Sequence, residues 1–176
     1  MELPGGSCFL QNLFCSDCGN TVVWKPASEV ALSAKIFVEI LDEAGLPAGV
    51  LNLITGSGRT VGRTLAEHPV VKVISFTGST EVGQQLAEMS SKTLKRISLE
   101  LGGKNAVIVL KDADLEKAAD GIVKSAFTTT GQRCTAASRV IVERPVKELL
   151  VQKVVELTKS MKIGNGLEEG KQVALS

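Results

Sequence analysis

Strand-like and helix-like hydrophobic patterns alternate along the chain from Gly19 onward, and this alternation is the strongest constraint on its fold. Short β-branched runs such as 21–25 and 71–76 are followed by stretches in which apolar residues recur every three or four positions. Strands separated by helices at this spacing favour an α/β fold with a mostly parallel sheet. The nearly continuous apolar strands predict burial on both faces of that sheet.

The same patterns predict the individual elements. Strands are expected over 21–25, 50–55, 71–76, 96–101, 106–110 and 139–143. Helices are expected between them, with N-caps at Ser28, at Ser79 or Thr80, and at Asp114, and with Pro145 opening the last helix. The first helix is expected to pack through Ile36, Phe37, Ile40, Leu41 and Ala44. The polar, glycine-rich tail 164–176 predicts no further element.

Charge and hydropathy exclude several classes of protein. The net charge is +1 with no basic block, so nucleic acid binding is not expected. No apolar run approaches the roughly 18 residues of a membrane helix, and the first twenty residues lack a secretory signal pattern. Three of the four cysteines cluster near the start, at Cys8, Cys15 and Cys18, which is unlike a disulfide framework. We therefore expect a reducing, cytoplasmic location.

Two strand-to-helix turns are rich in glycine. One runs from Gly56 through Gly58 to Gly62, and the other from Gly78 to Gly83. A helix that begins after such a turn points unbonded N–H groups at an anion, so each turn is a candidate phosphate site. Neither has the glycine spacing of the standard dinucleotide fingerprint or of a P-loop. Taken singly, each is better explained as an ordinary turn than as a phosphate site.

Cys134 stands apart from the other cysteines, in a Gly-Gln-Arg-Cys-Thr stretch between a predicted helix and a predicted strand. A lone cysteine of this kind is often a small buried hydrophobe. Its loop position and the adjacent Arg133 also fit a nucleophile, whose reactive form is the thiolate. The residues alone leave both interpretations open.

Glu100 emerges from an apolar strand and is followed by Leu101 and two glycines. It is either a solvent-facing residue at a strand end or a carboxylate placed for general base catalysis where a ligand approaches the backbone. His68, the one histidine, is better explained as a cation at a helix end than as the partner of a catalytic cysteine.

Cys15 and Cys18 have the spacing of a zinc or redox motif. Zinc needs four ligands, and no second pair or suitably spaced histidine follows. We predict no metal site. A zinc or redox module formed with Cys8 is kept as a weaker alternative, which would require a fourth ligand.

Four stretches taken together resemble the successive signatures of the aldehyde dehydrogenase family. They are Thr-Val-Val-Trp-Lys-Pro-Ala-Ser at 21–28, Phe-Thr-Gly-Ser-Thr-Glu-Val-Gly at 76–83, Leu-Glu-Leu-Gly-Gly-Lys at 99–104 and Gly-Gln-Arg-Cys at 131–134. Their order and spacing also match. The resemblance implies a Rossmann-like parallel sheet in a partial NAD(P)-binding domain over 19–102, followed over 103–176 by the start of an α/β catalytic domain.

The resemblance also implies roles for individual residues. Cys134 would attack an aldehyde to form a thiohemiacetal, and Glu100 would activate the water that hydrolyses the thioester left after hydride transfer. The cofactor, NAD or NADP, would be bound by Lys25, Ser28, Gly58, Gly62, Phe76, Thr77, Gly78, Ser79, Leu101 and Gly102. Many relatives have a glutamate where this chain has Ser28, so the serine favours NADP or dual use.

The subfamily and the substrate are less constrained. The Gln132-Arg133-Cys134 context with Gly103-Lys104-Asn105 looks most like α-ketoglutarate semialdehyde dehydrogenases. A small-molecule aldehyde, such as a semialdehyde, is therefore the expected substrate, and a carboxylic acid the expected product.

The chain departs from the family pattern at residues 1–18. That segment lacks the family's Pro-Trp-Asn-Phe-Pro stretch, whose asparagine contributes to the oxyanion hole. The resemblance covers about a third of a typical member, so a second glutamate and the oligomerisation hairpin of these usually homo-oligomeric enzymes are not matched. The alternative function is a catalytically inactive dinucleotide-binding fragment or interaction remnant.

Overall fold

The computed structural model describes residues 19–170 and 173–174, and these residues belong to two compact units. The division falls between Gly102 and Gly103. Every pair of strands within the described residues is parallel, which confirms the α/β class with parallel pairing. No helix of this described part of the chain is long and apolar enough to cross a membrane.

Within its described residues, the first unit contains four short strands and three α-helices. In chain order they are β1 Val22–Trp24, α1 Ala31–Glu43, β2 Leu51–Leu53, α2 Arg63–Glu67, β3 Val73–Gly78, α3 Thr80–Ser91 and β4 Arg96–Leu101. Strand β1 pairs with β2, and β3 pairs with β4 over six residues. A single π-helical turn, Gly58–Gly62, leads into α2.

The second unit repeats the strand–helix alternation. Its elements are β5 Asn105–Val109, α4 Leu115–Phe127, β6 Ala137–Val142, α5 Lys147–Ser160, β7 Ile163–Gly164 and β8 Val173–Ala174. The prediction that the tail adds no element was wrong, because β7 and β8 form a short parallel pair. Each of these strands is two residues long, which is too short for a hydrophobic period to mark it.

The core of the second unit lies between its sheet and its two helices. Val109 of β5, Ala119 and Ile122 of α4 and Leu150 of α5 are nearly inaccessible to solvent and form one cluster. Leu115, Val154 and Leu157 pack against this cluster from the same two helices. Helices α4 and α5 therefore each contribute an apolar face to this core.

Helix starts were predicted well where a short polar side chain precedes the apolar period. The Ser79 hydroxyl accepts a hydrogen bond from the Val82 N–H at the start of α3, and Asp114 caps α4. The prediction of an N-cap at Ser28 was wrong. Ser28 instead begins a 3-10 turn, Ser28–Val30, and its side chain makes no capping bond.

Burial on both sheet faces, expected from the apolar strands, is not observed. Side chains of β4 alternate between exposed and half-buried positions, as in a sheet covered on one side. In α1, Phe37 and Leu41 are half-buried, whereas Ile36 and Ile40 are exposed, contrary to the prediction. In the described part of the first unit no packed element covers that side of the helix.

Candidate active site

The parallel register of β3 and β4 brings predicted site residues to one sheet edge. Thr77 is the Cα partner of Glu100, and Gly78 is the partner of Leu101. Because both strands run in the same direction, their carboxyl ends meet at this edge, where ligands of open α/β sheets bind. Ser79 and Gly102 follow directly in the chain. The Glu100 side chain is exposed at this edge.

The same edge adjoins a helix N-terminus. Helix α3 begins at Thr80, immediately after β3, and the Ser79 Oγ accepts from the Val82 N–H at 3.3 Å. The first N–H groups of a helix have no acceptor inside the helix, so the turn presents donors and the positive end of the helix dipole. This arrangement suits a phosphate or pyrophosphate group.

Two neighbouring side chains in β3 have unusual surroundings. The Thr77 Oγ1 is buried, and within the described residues no hydrogen-bond partner is found for it. Buried hydroxyls are nearly always bonded, so this one is available to a ligand or an ordered water. The Phe76 ring packs directly over Gly78, where a Cβ would overlap it.

Lys25 lies beside the first glycine-rich turn. Its Nζ donates to the carbonyl oxygens of Pro26 at 2.6 Å and Gly56 at 3.4 Å. The Cδ and Cε of Lys25 lie 3.8 Å from the position a Cβ would take at Gly62. The structure thus brings Lys25 together with the turn that contains Gly58 and Gly62. Ser28 is exposed three residues farther along.

Gly56 is the glycine that this turn requires, although the sequence motifs did not mark it as a cofactor-binding residue. Gly56 has φ +145°, and a Cβ there would overlap the Val61 side chain. At Gly58 a Cβ would meet nothing within 4 Å. The positive φ at Gly56 turns the chain from β2 into the π-helical turn next to Lys25.

In the second unit, Cys134 is exposed on the loop between α4 and β6. Three consecutive residues just before it are left-handed, with φ of 55° at Thr129, 55° at Thr130 and 68° at Gly131. Left-handed backbone costs a residue with a Cβ roughly 1–2 kcal/mol, and the two threonines are β-branched. A Cβ at Gly131 would lie 2.7 Å from the Ala126 oxygen. Strain of this kind is typical of functional sites.

Hydrogen bonds restrain this loop from both sides. The Arg133 Nη2 donates to the Thr128 Oγ1 at 2.8 Å, which turns the guanidinium back along the loop. The Asn105 Nδ2 donates to the carbonyl oxygens of Cys134 at 2.7 Å and Ala136 at 3.2 Å. The backbone that carries the thiol is therefore tied to the start of β5.

No metal centre is found in the part of the chain that the structure describes. No group of three or more histidine, cysteine, aspartate or glutamate side chains there could hold an ion. The Cys8, Cys15 and Cys18 cluster lies outside the described residues. The His68 Nδ1 accepts a hydrogen bond from the Val70 N–H at 3.3 Å, just after α2 ends.

Comparison with known proteins decides the family. The sequence profile described as "Aldehyde dehydrogenase family" matches residues 11–175. The chain belongs to the aldehyde dehydrogenase family. Its members, as a family, oxidise aldehydes.

Curated aldehyde dehydrogenases share about half of the aligned residues with this chain. A 1-pyrroline-5-carboxylate dehydrogenase of Anoxybacillus flavithermus is 51% identical over 157 residues, which is 86% of this chain and 30% of the relative. An alpha-ketoglutaric semialdehyde dehydrogenase of Bacillus subtilis is 48% identical, over 86% of this chain and 31% of the relative. The chain therefore spans about 30% of the length of these relatives.

Solved structures match the described fold closely. An aldehyde dehydrogenase from Brucella melitensis biovar abortus matches with a TM-score of 0.84 and 42% identity, over 87% of this chain and 32% of that one. An E. coli NADP-dependent enzyme matches with a TM-score of 0.84 and 44% identity, over 87% of this chain and 32% of that one. PnpE, solved in complex with nicotinamide adenine dinucleotide, matches with a TM-score of 0.84 and 41% identity, over 88% of this chain and 32% of that one. The fold of an aldehyde dehydrogenase is thereby shown for the matched residues.

Most of the site residues inferred from the aldehyde dehydrogenase motifs fall into three places in the structure. One is the β3–β4 edge with the α3 N-terminus, one is the Lys25 turn, and one is the Cys134 loop. Sequence reasoning placed Gly56 in a glycine-rich turn without naming it among the cofactor-binding residues, and it gave Asn105 no role in the site. Gly56 could have been found as the first glycine after a strand, whereas no local signal marks Asn105, whose partners lie 29 and 31 residues away.

Proposed function

We propose that this chain is the part of an NAD(P)-dependent aldehyde dehydrogenase that carries the thiol nucleophile, the general base and much of the cofactor site. The enzyme would oxidise an aldehyde, with semialdehydes the favoured class, to a carboxylic acid. The observation that carries this proposal is the register of β3 and β4, which sets Thr77 and Gly78 beside Glu100 and Leu101 at the edge where α3 begins.

The residues at this edge fit a dinucleotide. The α3 N-terminus offers N–H donors to a pyrophosphate. The buried Thr77 hydroxyl, for which no partner is found within the described residues, would form a hydrogen bond to the bound dinucleotide. Lys25, whose ammonium group already bridges two backbone carbonyls, would donate to the adenosine ribose. When bound, the nicotinamide ring supplies the hydride acceptor that protein side chains lack. Ser28 brings no negative charge against a ribose 2′-phosphate, which favours NADP or dual use.

Cys134 would make the aldehyde carbon able to lose hydride. The thiolate adds to the carbonyl carbon, a C–S bond forms, and the carbonyl electron pair moves to oxygen. The resulting thiohemiacetal carbon is tetrahedral and carries the hydrogen that leaves as hydride, so a thioester remains on Cys134. Exposure of Cys134 on its loop leaves the thiol open to a substrate.

Glu100 would complete the cycle as the general base. A carboxylate that removes a proton from water lets the oxygen attack the thioester carbon, and the acid product leaves as the thiolate is restored. The exposed position of Glu100 at the end of β4 allows it to meet water. The same proposal includes a small aldehyde as the substrate, a homo-oligomeric assembly of the enzyme and a cytoplasmic location.

The decisive experiment measures NAD(P)H formation at 340 nm with a panel of small aldehydes and semialdehydes. Cys134→Ala is the test variant, and we expect turnover to fall to background because the nucleophile is lost. Thr135→Ala, one residue farther on, is the matched control and should retain turnover. No turnover by the unsubstituted chain, with a folded circular dichroism spectrum, would favour the alternative of an inactive dinucleotide-binding remnant.

A further inference from the structure

We infer that Asn105 is the positioning residue of the Cys134 loop, an inference that rests on the proposed nucleophilic role of Cys134. The Asn105 side-chain amide donates to the carbonyl oxygens of both Cys134 and Ala136, at 2.7 and 3.2 Å. One side chain thus fixes the backbone on either side of Thr135. Nothing in the mechanism above gives Asn105 a role.

The strand register explains why a side chain is needed at this point. Asn105 pairs with Ala137 and Ala106 with Arg139, so the β5–β6 ladder shifts by one residue where the loop joins β6. Such an irregularity locally disrupts the ladder of backbone hydrogen bonds. The Asn105 amide extends the pairing beyond it, and the Ser138 Oγ donates to the Asn105 carbonyl at 3.3 Å.

The loop itself needs a restraint from outside. Thr129, Thr130 and Gly131 are held in left-handed conformations, which a threonine adopts only when its surroundings impose them. Cys134 itself lies in a tight turn, in which the Ala136 N–H donates to the Arg133 oxygen at 3.0 Å. Asn105 lies where the strained segment and this turn are tied to the sheet. Without the Asn105 hydrogen bonds the strained loop would relax, and the Cys134 thiol would move.

Holding the loop also sets the surroundings of the thiol. The distances from the Cys134 sulfur to the Arg133 guanidinium and to the loop N–H groups depend on the backbone that Asn105 fixes. Such donors and cations govern how readily a thiol ionises. Asn105 therefore acts on the reaction through Cys134, without touching the substrate.

The test follows alkylation of Cys134 by iodoacetamide from pH 5 to pH 9.5 in the full chain. Trypsin cuts after Arg133 and Arg139, so peptide 134–139 reports this cysteine separately from Cys8, Cys15 and Cys18. The rate is compared between the unsubstituted chain, Asn105→Ala and Asn105→Asp. The nearly isosteric aspartate variant decides the matter if the alanine variant does not fold, because a carboxylate cannot donate to the two carbonyl oxygens.

Asn52→Ala is a closely matched control. The Asn52 Nδ2 also donates to two backbone carbonyls beside a parallel strand pair, those of Gly49 at 2.8 Å and Val22 at 3.3 Å, but in the first unit. Removing it costs similar hydrogen bonds without touching the Cys134 loop. A general loss of stability would therefore show equally in both variants.

In both Asn105 variants we expect the pH profile of Cys134 alkylation to change, with its midpoint displaced by about half a pH unit or more because the loop around the thiol is released. Backbone amides of 129–136 should exchange with deuterium about tenfold faster. An unchanged midpoint in a folded Asn105 variant, or an equal change in Asn52→Ala, would overturn the inference. Because the assay needs neither aldehyde nor cofactor, its failure is distinct from an absence of turnover.

Discussion

At the scale of single residues, the proposed chemistry is divided between a thiol and a carboxylate in different surroundings. Cys134 is exposed on a loop whose backbone is strained and tied by Asn105. Glu100 is exposed at the end of a regular strand, paired in register with Thr77. A nucleophile benefits from a fixed approach direction, whereas a base that acts through water needs access to solvent. The placement of the two side chains agrees with these different needs.

Glu100→Gln should separate the two halves of the proposed reaction. The amide cannot take a proton from water, so the thioester should form and then persist. We expect a first-turnover burst of NAD(P)H to remain while steady-state turnover falls by about 10²–10⁴-fold. Rapid-mixing absorbance at 340 nm measures both. Glu88→Gln, at an exposed position on α3, is the control, and a loss of the burst in Glu100→Gln would contradict the assigned role.

At the scale of elements, the turns between strands and helices determine where the site residues stand. Asp114 and Ser79 begin α4 and α3 through side-chain caps, and Gly56 reverses the chain after β2. Each turn works by a local mechanism, a hydrogen bond to a helix N–H or a positive φ. Substitutions at these turns should therefore alter one element while the remaining elements keep their structure.

Gly56 and Gly58 form a natural pair for testing the Lys25 turn. Gly56→Ala places a Cβ at φ +145° and against Val61, so we expect it to lower the free energy of unfolding by roughly 1–3 kcal/mol. Gly58→Ala meets open space and should be neutral or slightly stabilising. Urea denaturation of both variants measures the difference. Equal stability would show that the backbone at Gly56 tolerates a side chain.

Asp114 predicts a pH dependence of stability. The hydrogen bond from the Lys117 backbone N–H is the main cause that lowers the pKa of Asp114. Desolvation opposes it, and the Lys117 side chain and the Glu116 N–H lower the pKa further, so the net direction is downward. A carboxyl with a lowered folded-state pKa contributes stability above its unfolded pKa of about 3.9 and loses that contribution as pH falls through the folded value.

Asp114→Asn keeps an acceptor for the cap but does not titrate. The unsubstituted chain should therefore have the higher Tm at pH 6, by on the order of a few degrees, and this advantage should disappear toward pH 3. Thermal unfolding followed by circular dichroism between these pH values measures it. Asp112→Asn, in the preceding turn, should show no such trend. A difference that persists undiminished at pH 3 would exclude titration of Asp114 as its cause.

At the scale of the whole molecule, each unit leaves large apolar side chains exposed. On α1, Leu32, Ile36 and Ile40 follow one another at four-residue steps with 72%, 49% and 56% exposure. On the β5–β6 pair, Ile108 and Ile141 are Cα partners that are 67% and 55% exposed. Adjacent apolar residues of this kind form patches that bind other apolar surfaces.

We expect the chain to bind the hydrophobic dye ANS and to self-associate at micromolar concentrations. Ile108→Thr with Ile141→Thr removes the patch on the β5–β6 pair while keeping β-branched residues, so dye fluorescence should fall by about a third or more. Leu167→Ser, at a 95% exposed position away from these strands, is the control. Dye fluorescence and sedimentation velocity are the measurements, and equal fluorescence in both variants would contradict the assignment.

Much of this molecule is determined by interactions that are local in sequence. The hydrophobic period predicts the helices, because each helical hydrogen bond joins residues only four positions apart. The caps at Ser79 and Asp114 are predictable because a short polar side chain stands directly before such a period. The family motifs at strand ends could also be recognised from the sequence, because a strand and the glycine that follows it are neighbours in the chain. The α/β class and most element positions were predictable on this basis.

The tertiary structure alone decided what depends on distant pairing. The opposition of Thr77 and Glu100 is a matter of register between strands 23 residues apart. The bonds from Asn105 to the Cys134 loop and the left-handed Thr129 and Thr130 require partners that the local sequence does not identify. The exposure of Ile36 likewise reflects which elements pack nearby. A one-residue slip or a missing neighbour changes such features without altering any local pattern, so only the folded chain reveals them.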